Sequence, residues 1–168
     1  EMGEGRSFGL EMMVQKTLGK TTGWLAYTLA KTDHRFKDGA ISQGKWFPYK
    51  YDRRHTISLC LNHKFSERID VGASWIFNTG GCITVPERET IIIRPEGNIE
   101  SAPYISRRNN YRLPASHRLN LGINFNKKTK HGMRTWNISL YNAYNAMNPN
   151  LVYSKWEQGY NLIYNDFY

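Results

Sequence analysis

Apolar and polar positions alternate along the chain between Thr56 and Asn78. Ile57, Leu59, Leu61 and Phe65 are spaced by Ser58, Cys60, Asn62 and Lys64. After the polar turn Ser66-Glu67-Arg68, the residues Ile69, Val71, Ala73, Trp75 and Phe77 alternate with Asp70, Gly72, Ser74 and Asn78. A period of two gives a strand one apolar and one polar face, so this stretch predicts a hairpin. Each arm is about 9–11 residues, the length a tilted strand needs to cross a bilayer.

The unit recurs. Arg6 to Lys16 predicts a strand with Phe8, Leu10, Met12 and Val14 on one face. Thr22 to Asp33 predicts another with Leu25, Tyr27 and Leu29, although Trp24 then falls on the opposite face. Arg118 to Asn126 sets Leu119, Leu121, Ile123 and Phe125 against Asn120, Gly122, Asn124 and Asn126. Arg134 to Asn145 sets Trp136, Ile138 and Leu140 against Asn137, Ser139 and Tyr141. Thr90 to Arg94 suits a short extra strand, and no stretch has a convincing helical period. On this reading Ile57, Leu59, Leu61, Val71, Ala73, Trp75, Leu119, Leu121, Ile123, Ile138 and Leu140 share one side of a sheet.

The connections alternate in length. Thr17 to Thr21, Ser66 to Arg68 and Lys127 to Gly132 are short, whereas His34 to Arg54 and Ile83 to His117 are long, the latter broken by Pro86, Pro95, Pro103 and Pro114. Short turns at one end and long loops at the other mark an outer-membrane barrel. A soluble antiparallel sandwich is the plainer alternative. Against it, the polar face carries Asn, Ser, Thr and Gly rather than Lys and Glu, which suits a crowded lumen. Phe65, Phe125 and Trp136 beside the short turns suit an aromatic girdle.

Composition changes this little. The 168 residues suffice for one domain, and no run approaches the ~18 apolar residues of a membrane helix. The net charge of +9 invites a nucleic-acid reading, but Lys16, Lys20, Arg53, Arg54, Arg107, Arg108, Lys127, Lys128 and Lys130 lie in turns and loops. No nucleic-acid partner is expected. Cys60 and Cys82 are expected as free thiols, because the register set by the Ser66–Arg68 turn puts Cys60 opposite a residue near Ser74, far from Cys82. Gly39 to Lys45 has phosphate-loop spacing but Trp46 where Ser or Thr is needed. His34, His55, His63, His117 and His131 show no paired metal-ligand spacing, and no nucleophile–base arrangement emerges. Neither an enzyme nor a cofactor or metal site is expected.

Three clusters remain, each first explained as a loop-to-strand junction pinned by Arg and Asn: Trp46 to His55, Asn109 to Arg118 and Tyr141 to Pro149. With Gly5-Arg6-Ser7-Phe8-Gly9-Leu10-Glu11 and Gly23-Trp24-Leu25-Ala26-Tyr27-Thr28-Leu29, they resemble in order and spacing the C-terminal barrel region of TonB-dependent outer-membrane receptors. The likeness is to the subgroup whose plug follows a carboxypeptidase-regulatory-like domain, and it runs from Gly3 to about Tyr153. It implies an open portion of a 22-stranded transmembrane β-barrel, an all-β antiparallel meander of about six long strands. It further implies an outer-membrane active transporter that imports a scarce nutrient (siderophore, glycan, peptide or cofactor) with TonB-supplied energy. Implied partners are outer-membrane lipid and lipopolysaccharide, the rest of the receptor with its plug, the TonB complex through the missing N-terminal part, and a surface lipoprotein.

The chain departs from that family in extent, with no plug and no TonB box. Tyr160 to Tyr168 reads as too polar and irregular for the family's final strand, so residues 1–168 are expected to be a partial C-terminal segment. The sheet is expected to be open, with Arg6 to Lys16 at one edge and Arg134 to Asn145 at or near the other. Trp46, Tyr49, Tyr51, Arg107 and Arg108 are the candidate ligand-binding residues, since aromatic stacking and guanidinium hydrogen bonds suit anionic or sugar-like ligands. Rival readings are a soluble all-β glycan-binding module using exposed Trp and Tyr, and a smaller outer-membrane barrel or adhesin.

Overall fold

The computed structural model describes residues 2–39, 41–156 and 160–166, with side chains for 2–39 and 41–149. The long strands follow the alternating runs: β1 (Gly3–Lys16), β2 (Thr21–Phe36), β4 (His55–Lys64), β5 (Ile69–Asn78), β10 (Ser116–Thr129) and β11 (Gly132–Leu140). They form one antiparallel sheet in the order β1-β2-β4-β5-β10-β11, and β3 (Phe47–Pro48) adds to the long-loop end of β2. Three small ladders complete the described strands. They join β6 (Cys82–Ile83) to β9 (Tyr111–Arg112), β7 (Arg88–Ile93) to β8 (Ile99–Tyr104), and β12 (Pro149–Trp156) to β13 (Tyr160–Asp166).

β1 and β11 are the edges of the main sheet, as the pattern predicts. The predicted extra strand at Thr90 is present as one arm of the β7–β8 ladder. Several boundaries differ: β1 already begins at Gly3, and β10 extends from Ser116 to Thr129. β2 continues to Phe36 because β1 pairs it over its whole length. β11 stops at Leu140 because Asn142 and Asn145 take positive φ, 52° and 51°, and the Asn142 amide closes a turn onto both backbone groups of Ala146.

A further difference lies near the C-terminus. Tyr160 to Asp166 is a strand despite its irregular pattern, because β12 supplies its backbone hydrogen-bond partners. Phe167 and Tyr168, also part of that sequence reading, lie outside the described residues.

Register fixes the faces. Leu25, Leu59, Trp75 and Leu119 stand in one cross-strand row, and Leu61, Ala73, Leu121 and Leu140 in another. Val14 continues the first row onto β1. All the residues expected on one side are there. Trp24 stands on the polar side between Gln15 and Cys60, which resolves its parity. Cys60 faces Ser74, and both cysteines are free.

The sheet has almost no interior. Among the described residues only Phe47 and Cys82 are buried hydrophobics, and both belong to the long loops. On the apolar face Phe8, Leu10, Leu140, Ile138 and Trp136 are each more than half exposed.

Candidate functional site

The polar face is cross-linked by short side chains. Asp70 accepts from Asn124 Nδ2 and Asn126 Nδ2, each at 2.7 Å. Asn124 Oδ1 accepts from Asn137 Nδ2, and Asn126 Oδ1 from the Thr135 hydroxyl, both at 2.7 Å. Asn120 reaches Ser74 at 3.2 Å, and Thr56 donates to Asn78 at 3.2 Å. A primary amide both donates and accepts, so a row of Asn can satisfy itself laterally across several strands. That is what Asn, Ser and Thr achieve on this face and what Lys and Glu would not.

At the long-loop end, Asp52 anchors the two long connections. Its side chain is 1% exposed and ion-pairs with Arg112 and, at 3.4 Å, with Arg54. The Thr32 amide donates to its Oδ1 at 2.7 Å, and Arg112 Nη1 donates to the Asp52 and Gly80 carbonyls. Burial pushes the Asp52 carboxyl up, but Arg112, the Thr32 amide and the Arg54 charge outweigh it and hold the group below its usual range. The chain here is too crowded for side chains at two glycines. A Cβ on Gly80 would lie 2.0 Å from the Leu113 carbonyl oxygen, and one on Gly81 would lie 2.8 Å from that of Lys50. Cys82 is buried against this clamp, and burial raises its thiol pKa.

The five candidate ligand residues are divided among separate places. Trp46 sits on the apolar side of the sheet, its ring between Arg6 and Arg35 with guanidinium carbons 4.3 and 4.8 Å from the centroid. Tyr49 stacks on His34 at 4.5 Å and meets Tyr51 edge-on at 5.5 Å, beside the buried Phe47. Tyr51 itself is 64% exposed.

Arg107 lines a polar pocket of about 400 Å³ with Ser42, Gln43, Lys45, Glu87, Ser106 and Asn110. The Arg108 amide beside it donates to Ser42 Oγ at 2.9 Å, which ties the second long loop to the first. Glu87 in that pocket accepts from Ser106 and from Asn110 at 2.9 Å, and both bonds lower its pKa. The arrangement can bind a small polar group, with Lys45 and Arg107 as cations.

The glycine-rich run ending at Lys45 is a tight left-handed turn, with Ser42, Gln43 and Gly44 at φ of 53°, 54° and 69°. Ala40 in that run lies outside the described residues. Three of the five histidines act as hydrogen-bonding groups at strand ends: His55 to Tyr27 at 2.9 Å, His63 to Thr21 at 2.7 Å and His117 to Tyr144 at 2.8 Å. Among the described residues no three His, Cys, Asp or Glu stand close enough together to hold a metal ion.

The junction clusters read from sequence are pinned by Arg and Asn, but the pairing of Asp52 with Arg112 was not legible there. Sixty positions of chain separate the two residues. No family model, curated protein or solved structure matches this chain.

Proposed function

We propose that this chain is a wall segment of a transmembrane β-barrel, a portion of a 22-stranded TonB-dependent transporter in a Gram-negative outer membrane. The observation that carries the reading is the apolar face, continuous across six paired strands and left open. Monomeric soluble proteins rarely expose contiguous apolar surface beyond a few hundred Å². A face this long in water would need a second layer, and no described element supplies one. In hydrocarbon it needs none, and the self-satisfied Asn, Ser and Thr face becomes the lumen.

Edge chemistry supports the same reading. Within hydrocarbon each unpaired backbone group costs several kcal/mol. β1 and β11 therefore require further strands, and closing six strands on themselves would give a tube narrower than the ~8-strand case that side chains already fill. Import of a scarce nutrient, with a plug and the TonB complex as partners, follows from the family likeness. Under it the Arg107 pocket and the Tyr49–Tyr51 cluster are the segment's contribution to ligand contact.

The test uses the whole reading frame that contains this chain, expressed with outer-membrane targeting. The product should fractionate with outer membranes and migrate faster on a gel before heating than after. Recovery of the 168-residue chain alone as a folded, water-soluble monomer would overturn the reading.

A further inference from the structure

The apolar face ends abruptly at the long-loop end of β1 and β2. Outward positions on β1 run Val14, Met12, Leu10, Phe8 and then Arg6 and Glu4; on β2 they run Leu25, Tyr27, Leu29 and then Lys31, Asp33 and Arg35. The change comes at one row, where Phe8 faces Lys31. At the other end the same strands carry only Lys16 opposite Gly23.

The charged rows are organised. Arg6 and Lys31 converge on Asp33 at 2.8 and 3.5 Å, while Arg35 and Lys37 converge on Glu4. Arg6 uses Nε and Nη2 for its carboxylate, and Arg35 uses the same pair of nitrogens for its own. The Nη1 group of each is left outside those bonds. Both guanidinium groups lie over the Trp46 ring, 4.3 and 4.8 Å from its centroid. Four cations thus share two carboxylates. Asp33 is nearly buried beneath them, whereas Arg6 and Lys37 are 46% and 64% exposed.

We propose that this cluster binds the phosphate of an anionic lipid headgroup whose acyl chains lie along Phe8, Leu10 and Leu29. The proposal rests on the barrel reading above and adds to it a specific headgroup site. Guanidinium forks next to flexible ammoniums match the tetrahedral oxygens of a phosphate. The two carboxylates hold the forks in place without neutralising the cluster. An indole at this depth suits the zone between hydrocarbon and headgroups. Water-borne phosphate could satisfy the same cations, but only a lipid also covers the adjoining apolar row.

The intact barrel protein containing this chain is reconstituted in phosphatidylcholine discs doped with lipid A or with dephosphorylated lipid A. Retained lipid is counted after washing. Phosphorylated lipid A should be retained in preference, and the Lys31→Gln/Lys37→Gln double variant should lower that retention roughly tenfold. Lys16→Gln should leave it unchanged. Equal retention of both lipids, or full competition by inorganic phosphate, would overturn the proposal while the assembled barrel keeps the membrane reading. Failure of the protein to insert in any disc would instead count against the membrane reading itself.

Discussion

Asp52 and Arg112 belong to different long loops, yet the Arg112 guanidinium grips both the carboxylate and the backbone carbonyl of Asp52. The pair ties the 37–54 connection to the 79–115 connection at the rim of the sheet, alongside the bonds from Arg108 to Ser42, Asn109 to Pro48 and Cys82 to Lys50. Of these ties it is the charge-assisted one, made to a carboxylate whose side chain is 1% exposed. Arg112→Ala leaves Asp52 with Arg54 and the Thr32 amide, and should cost about 2–4 kcal/mol. Limited proteolysis should then cut both long loops faster, with the strands still protected. Cutting in only one loop would mean that the pair does not couple them.

The same clamp sets an acid limit. Asp52 has a depressed pKa, so its stabilising contribution is complete above the unfolded value of about 3.9 and disappears as pH falls through the lower folded value. Loop protection should be flat from neutral pH down to about pH 4 and then fall. Pepsin, which works in acid, can follow the loss directly. An Asp52→Asn variant should lack the acid transition, and an unchanged transition in it would assign the loss to another group.

Facing can be tested by paired arginine substitutions. Leu59 lies mid-band on the apolar face, and its neighbour Ser58 lies on the polar face. In the assembled protein Leu59→Arg should destabilise by about 2–4 kcal/mol, while Ser58→Arg should cost much less. The readout is the denaturant midpoint in bilayers. Equal penalties would deny the face its lipid contact.

The polar face should depend on its shared acceptor. Asp70→Ala removes the partner of both Asn124 and Asn126 and should cost about 1–3 kcal/mol. Because Asn124 also accepts from Asn137, a double variant with Asn137→Ala should show a penalty smaller than the sum. Strict additivity would mean that these bonds act independently.

The two thiols should differ in reactivity. Cys82 is 2% exposed and burial raises its pKa, so it stays protonated and shielded at neutral pH. Cys60, half-buried on the polar face, should take a water-soluble maleimide first. Labelling of Cys82 should wait for unfolding, or for Arg112→Ala. Early labelling of Cys82 in the native protein would contradict the packed clamp.

The long strands, their faces and the alternation of short and long connections were all written into the sequence. Period two is a local property, and residue neighbours alone decide which side of a strand is apolar. Short turns fix the hairpin partners as well, which is why the Ser66–Arg68 turn alone puts Cys60 opposite the neighbourhood of Ser74, its partner in the sheet. Tertiary structure decided what local pattern cannot carry. β13 exists through pairing with β12 rather than through alternation. Trp46, a candidate ligand residue in the sequence, is drawn to the apolar side by Arg6 and Arg35, which reach it from two different strands. Asp52 meets Arg112 where Gly81 lets the second loop approach Lys50 of the first, while Gly80 lets the second loop close on its own Leu113. These contacts join distant points of the chain through single side chains, so no repeating pattern announces them. The period of the strands determined an antiparallel sheet with one apolar and one polar face, and long-range electrostatics at its rim determined how the loops stand on it.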